Sequence, residues 1–233
     1  MASEQQDHEQ QDQESVATPA GPARISWHRA AGRPRAVLGL GHGAGGGIEA
    51  ADLAALAAAL PGQGVTVALV EQPWRVAGRK VAPAPKTLDT GWLPVAERLA
   101  AEGVPLLVGG RSAGARVACR TGAAVGAAAV LALSFPLHPP GRPERSRAEE
   151  LLGAGLPTLV VQGERDAFGT PAEFPAGTRL VPVPYADHGF KLPKSAPLSR
   201  AAALDLVTAA VADWLAGLPL DRAGGGGSPG WRT

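Results

Sequence analysis

The chain has 233 residues, of which 45% are apolar (AVILMFWYC), 18% charged and 4% aromatic. Its 22 Lys and Arg against 21 Asp and Glu give a formal net charge of +1, which excludes the strong basic excess of a dedicated nucleic-acid binder. A single cysteine, Cys119, excludes an intramolecular disulfide framework and a cysteine-rich zinc site, and no apolar run is long enough for a membrane span.

The first 20 residues carry five acids, five glutamines and no Lys or Arg, and lack the apolar stretch of a secretory signal. With almost nothing to bury, residues 1–22 are expected to form a disordered arm, and the expected location is cytoplasmic. Residues 25–29 are expected to be a strand that pairs with a buried strand over 36–41 across the turn around Gly32. An Ala- and Leu-rich helix is expected over 48–60, then a strand over 65–70. Leu88, Trp92, Val95 and Leu99 fall at helical spacing, so 86–102 is read as a helix ending at Gly103. A strand over 105–108, a helix over 112–122 and a strand over 127–134 follow. A short helix around 146–152 leads to strands over 156–162 and 179–183. Leu204, Val207, Val211, Trp214 and Leu215 mark one face of a long helix over 198–218. The Gly-rich residues 222–233 are expected to be a flexible tail, leaving one folded domain over 23–221.

Strands alternating with helices predict an α/β fold: a mostly parallel central sheet with helices on both faces. Roughly 20 residues separate the strand ending at 134 from the next, too few for a large lid. Ligands in such sheets bind beyond the carboxyl ends of the strands, so the residues just after each strand are the candidates for chemistry.

After the strand at 105–108 comes Gly110-Arg111-Ser112-Ala113-Gly114, a G-x-S-x-G pattern. A serine at a tight strand-to-helix turn projects its hydroxyl above the sheet, and small flanking residues let the two segments nearly touch. Asp166 follows the strand at 156–162 and is the preferred acid; Glu164 competes with it. His188 lies on the loop before the last helix, and the order Ser112, Asp166, His188 suits a nucleophile, its orienting acid and its base. Asp187 is disfavoured as the acid because a neighbouring side chain is poorly placed to orient the imidazole.

Two readings fit the glycine loop Gly41-His42-Gly43-Ala44-Gly45-Gly46-Gly47. One is a dinucleotide loop through Gly41, Gly43 and Gly46, with Glu71 as the later acid. The other, favoured by the His-Gly element, is an oxyanion loop whose N–H from Ala44 or Gly43 acts with that of Ala113. His42, Trp74, Arg75 and His138 are candidate pocket residues. Trp27, Trp92 and Trp214 are assigned to core or interface, and Cys119 to a buried, inert position. Arg111 and Arg116 are expected to pair with carboxylates.

Taken together, HGAGG at 42–46, GGRSAGARVA at 109–118, PLHPPGRPE at 136–144, VQGERDAFG at 161–169 and ADHGFK at 186–191 resemble the α/β-hydrolase superfamily. The resemblance spans 25–218. More narrowly it is to the small branch of dienelactone-hydrolase-like proteins, the testis-expressed-protein-thirty type and the hydrolase-like subunit of the nonspecific-lethal histone acetyltransferase complex. It implies a single-domain fold, a Ser112–Asp166–His188 triad and the loop oxyanion donors, and it does not imply a substrate. The expected reaction is hydrolysis of a small ester or thioester through an acyl-enzyme, with no metal or organic cofactor. The expected partner is a small acyl substrate, with neither nucleic acid nor membrane. Because the fold also serves as a scaffold, a catalytically silent interaction module is the alternative.

Overall fold

A computed structural model describes residues 12–220. Eight strands are joined by helices: β1 Gln13–Val16, β2 Ala23–His28, β3 Ala36–Gly41, α1 Ala51–Ala59, β4 Val65–Glu71, α2 Pro73–Val76, α3 Pro85–Ala100, β5 Leu106–Arg111, α4 Ala113–Thr121, β6 Ala129–Leu133, α5 Ala148–Leu152, β7 Thr158–Gly163, β8 Leu180–Val183 and α6 Arg200–Ala216. The strands form one sheet in the order β1-β2-β4-β3-β5-β6-β7-β8. From β4 through β8 every pairing is parallel, while β1 and β2 run antiparallel at one edge.

The central strands are buried on both faces, which explains their near-continuous apolar runs. On one face, α3, α4 and α5 bring Trp92, Leu99, Val117 and Leu151 against Val37, Val108, Val130 and Val160. On the other, α1 and α6 bring Leu53, Leu56, Val207 and Trp214 against Leu38, Leu107, Leu131 and Leu159. Burying each of these large side chains stabilises the fold by about 1.5–3 kcal/mol before entropy is counted. Trp27, Trp92 and Trp214 are all core residues. Pro85 opens α3 at a position where its missing N–H leaves no bond unmade, and the helix runs through Gly91 and Pro94.

Two expectations need correction. Residues 13–16 of the expected arm form β1, because Glu14 has partners that its local sequence does not reveal. Its carboxylate accepts from Trp27 Nε1 at 3.0 Å and from Arg98 Nε at 2.7 Å. Residues 1–11 of that arm and the tail at 222–233 lie outside the described residues. In addition, β2 pairs with β4 rather than β3, since β3 already has parallel neighbours, β4 and β5, on both edges. No helix among the described residues is long and apolar enough to cross a membrane.

Candidate active site

Ser112 sits between β5 and α4 with φ 54° and ψ −110°. Positive φ is uncommon for a residue with a side chain, and it is sustained here by tight packing on both sides. A Cβ at Gly110 or at Gly114 would collide with the carbonyl of Gly41 at the end of β3. The glycines therefore let the elbow press against the neighbouring strand. The turn also places Ser112 at the amino terminus of α4.

Three strand-end loops converge on this serine. The loop after β8 brings His188 Nε2 within 2.9 Å of Ser112 Oγ. The loop after β7 brings Asp166 Oδ2 within 2.7 Å of His188 Nδ1. A carboxylate at Nδ1 favours the tautomer with its proton there, leaving the Nε2 lone pair to accept from the serine hydroxyl. Asp166 is 1% exposed and is held by two further donors: Phe168 N at 2.8 Å and Gln162 Nε2 at 2.8 Å. The Phe168 ring lies 4.3 Å from the His188 ring, covering one side of the imidazole.

The loop after β3 supplies the third wall. Gly43, Ala44 and Ala113 line a narrow cavity of about 10 Å³, room for roughly one water molecule, together with His42, Trp74, Leu88 and Val117. Among the described residues, no protein acceptor takes the Ala44 N–H or the Ala113 N–H. Gly43 packs against Ser112, and Gly41 against Gly114, which places the glycine loop at the serine. A larger groove, of about 510 Å³, lies beside Pro157 and Thr158 at the start of β7, away from these strand ends.

His42 is buried with both ring nitrogens engaged, Nδ1 with the Gly43 carbonyl at 2.9 Å and Nε2 with the Gln72 N–H at 3.1 Å. Burial lowers its pKa below 6.5, which keeps it neutral, and Trp74 packs edge-on against it at 5.4 Å. His42 thus shapes the loop and is not a second base. Of the two competing acids, Glu164 accepts from Tyr185 N and Asp187 from Gly189 N and Lys191 N; neither bonds to His188.

Two expected pocket residues lie elsewhere. Arg75 faces Glu49 at 3.7 Å with its side chain 37% exposed. His138 is held away from the cavity between the Pro139 carbonyl at 2.9 Å and Glu173 at 3.0 Å. The Pro139 carbonyl and then Glu173 raise its pKa above 6.5 despite some desolvation. Both side chains were assigned from position after a strand, and each turns toward a carboxylate instead. Gln162 escaped the sequence reading altogether. Its only signal is a polar side chain within the apolar run of β7.

Arg116 pairs with Glu150 at 2.6 Å, and Arg120 joins both Glu150 and Asp89. Cys119 is buried, with its thiol pushed up to about 12 by desolvation. Among the described residues, no three His, Cys, Asp or Glu side chains converge as a metal-binding group.

The match of a family model settles the family. Residues 34–216 match the alpha/beta hydrolase domain. The chain belongs to the α/β-hydrolase family. Three solved structures illustrate its fold. The lidless α/β serine hydrolase XC6422 from Xanthomonas campestris superposes with a TM-score of 0.68 at 20% identity, over 89% of this chain and 94% of that one. Dienelactone hydrolase from Anabaena variabilis gives 0.65 at 18% identity, over 88% and 96%. Est1E from Butyrivibrio proteoclasticus gives 0.65 at 14% identity, over 88% and 99%. Among curated proteins, none matches this chain by sequence. The connection after β6 carries a 3-10 turn at Pro143–Arg145 and the five-residue helix α5, with no helical cap. This strand order brings the loops that carry Ser112, Asp166 and His188 to one end of the sheet.

Proposed function

We propose that this α/β-hydrolase is a serine hydrolase that cleaves a small ester or thioester through an acyl-enzyme. The observation that carries the reading is the chain of contacts Asp166–His188–Ser112, at 2.7 and 2.9 Å, beside a cavity lined by Gly43, Ala44 and Ala113. His188 takes the Ser112 proton as Oγ attacks the substrate carbonyl, and Asp166 stabilises the imidazolium. The N–H groups of Ala113 and Ala44 stabilise the oxyanion. His188 then returns the proton to the leaving alcohol or thiol. A water molecule, activated in the same way, releases the acid. Trp74, Leu88 and Val117 leave little room in the cavity beside the serine, which favours a small acyl group, and the absence of a helical cap over the connection after β6 suits a soluble substrate.

Fluorophosphonate labelling followed by intact mass tests the reading on wild type, Ser112→Ala and His188→Ala. The expected result is one adduct on wild type, lost in Ser112→Ala and strongly slowed in His188→Ala. A folded wild type that neither labels nor hydrolyses short esters would refute it and favour an interaction module.

A further inference from the structure

We propose that Arg111, aimed by Asp52, is a positioning residue that fixes the main chain of the histidine loop relative to Ser112. This rests on the serine-hydrolase reading above. Arg111 is the residue immediately before the serine and the last of β5. Its Nη2 donates to the backbone carbonyl of His188 at 2.8 Å. Its Nε lies 3.2 Å from Asp52 Oδ2, in the first turn of α1. A Cβ built on Gly43 would be 3.4 Å from Nη1, and one built on Gly189 would be 3.4 Å from Nη2. One guanidinium therefore joins the histidine loop to α1 and lies close beside Gly43 of the glycine loop, while its own backbone leads into the serine.

The histidine loop needs such a tie. Between β8 and α6 it has no regular structure, and both Tyr185 and Phe190 have positive φ. Phe190, fully buried, anchors it to the core, and Asp187 closes a small turn by accepting from Gly189 N and Lys191 N. Neither contact reaches the strand that carries Ser112. The Arg111 bond does, and it holds the peptide from which the imidazole departs.

The role of Asp52 is to direct the fork. Its side chain is 2% exposed, and Arg111 is 16% exposed. Neither Asp52 Oδ2 nor Arg111 Nε makes a well-directed hydrogen bond, so the contact is ionic and orients the guanidinium through charge. The guanidinium presents several donors in a rigid plane and serves Asp52 and the His188 carbonyl together, whereas a lysine ammonium is a single point.

The test compares turnover of p-nitrophenyl acetate by wild type, Ser112→Ala, Arg111→Lys and the double variant Asp52→Asn/Arg111→Gln. Arg111→Lys keeps a cation beside Asp52 but cannot span both partners. The double variant leaves no buried charge unpaired, which protects folding. In both, kcat is expected to fall about 10–100-fold with KM little changed, the scale of loss from misplacing a reacting group by about an ångström. The downfield proton resonance of His188 Nδ1–H should broaden or disappear in both, at an unchanged melting temperature. Wild-type kcat with an intact resonance in either folded variant would overturn the proposal, as would a kcat loss merely proportional to the unfolded fraction. Ser112→Ala that keeps wild-type turnover would instead overturn the hydrolase reading, so the two failures are distinguishable.

Discussion

Replacing Gln162 with Leu tests whether the acid loop is held from beneath. Gln162 is fully buried, and its Nε2 lies 2.8 Å from Asp166 Oδ2, 2.9 Å from the Gly169 carbonyl and 3.3 Å from the Phe135 carbonyl. An amide NH2 has two protons, so the two short contacts take them and Phe135 shares weakly. Leu fills a similar volume without a donor. The substitution strips a bond worth about 1.5–3 kcal/mol from a buried carboxylate and one worth about 1 kcal/mol from a buried carbonyl. Against this, it removes Gln162 Oε1, a buried oxygen that already lacks a partner, and so recovers about 1 kcal/mol. The net expectation is a loss of about 1.5–3 kcal/mol. For a domain of this size that is a fall in melting temperature of about 3–12 °C, read by circular dichroism. Asp166 keeps the Phe168 N–H but loses one restraint on its rotation, so ester turnover should fall about tenfold. A melting temperature within about 1 °C of wild type, together with unchanged turnover, would refute this account of the loop.

Gly114→Ala should be among the most damaging single changes, because the new Cβ would meet backbone atoms of Gly41 and His42 rather than a movable side chain. It is expected to abolish labelling of Ser112 and lower the melting temperature, and an active, stable variant would contradict the packing argument. Cys119, with its thiol pushed up to about 12, should resist iodoacetamide in the native protein and react only on unfolding; rapid native alkylation would show it to be accessible. The His138–Glu173 pair gives a signed pH dependence. The folded pKa of His138 is raised above 6.5, so its contribution is complete below 6.5 and lost as pH rises through the folded value. That of Glu173 is lowered from 4.5 by bonds from Thr170 and from His138, so its contribution is lost only in acid. Melting curves of wild type and Glu173→Gln should therefore differ more at mildly acidic pH than well above neutrality, and a gap that widens with rising pH would reverse the sign.

Much of this protein was legible in the sequence because its determinants are local. The apolar runs of β3 through β7 and the helical spacing of Leu88, Trp92, Val95 and Leu99 follow from burial on a parallel sheet. Gly110 and Gly114 announce a close backbone approach, and the order Ser112, Asp166, His188 places each side chain after a strand that ends on the same side of the sheet. Tertiary structure alone decided what depends on long-range partners. Glu164 and Asp166 lie two residues apart on one loop, and only the fold turns Asp166 toward His188 while Glu164 accepts from Tyr185. Arg75 and His138 follow strands but turn toward Glu49 and Glu173. The acidic composition around Glu14 conceals an ion pair with Arg98, 84 residues away, that helps make β1 a strand. Periodicity reports which face of an element is buried; the direction of a loop side chain is set by a charge or hydrogen-bond partner that the chain brings near only when it folds.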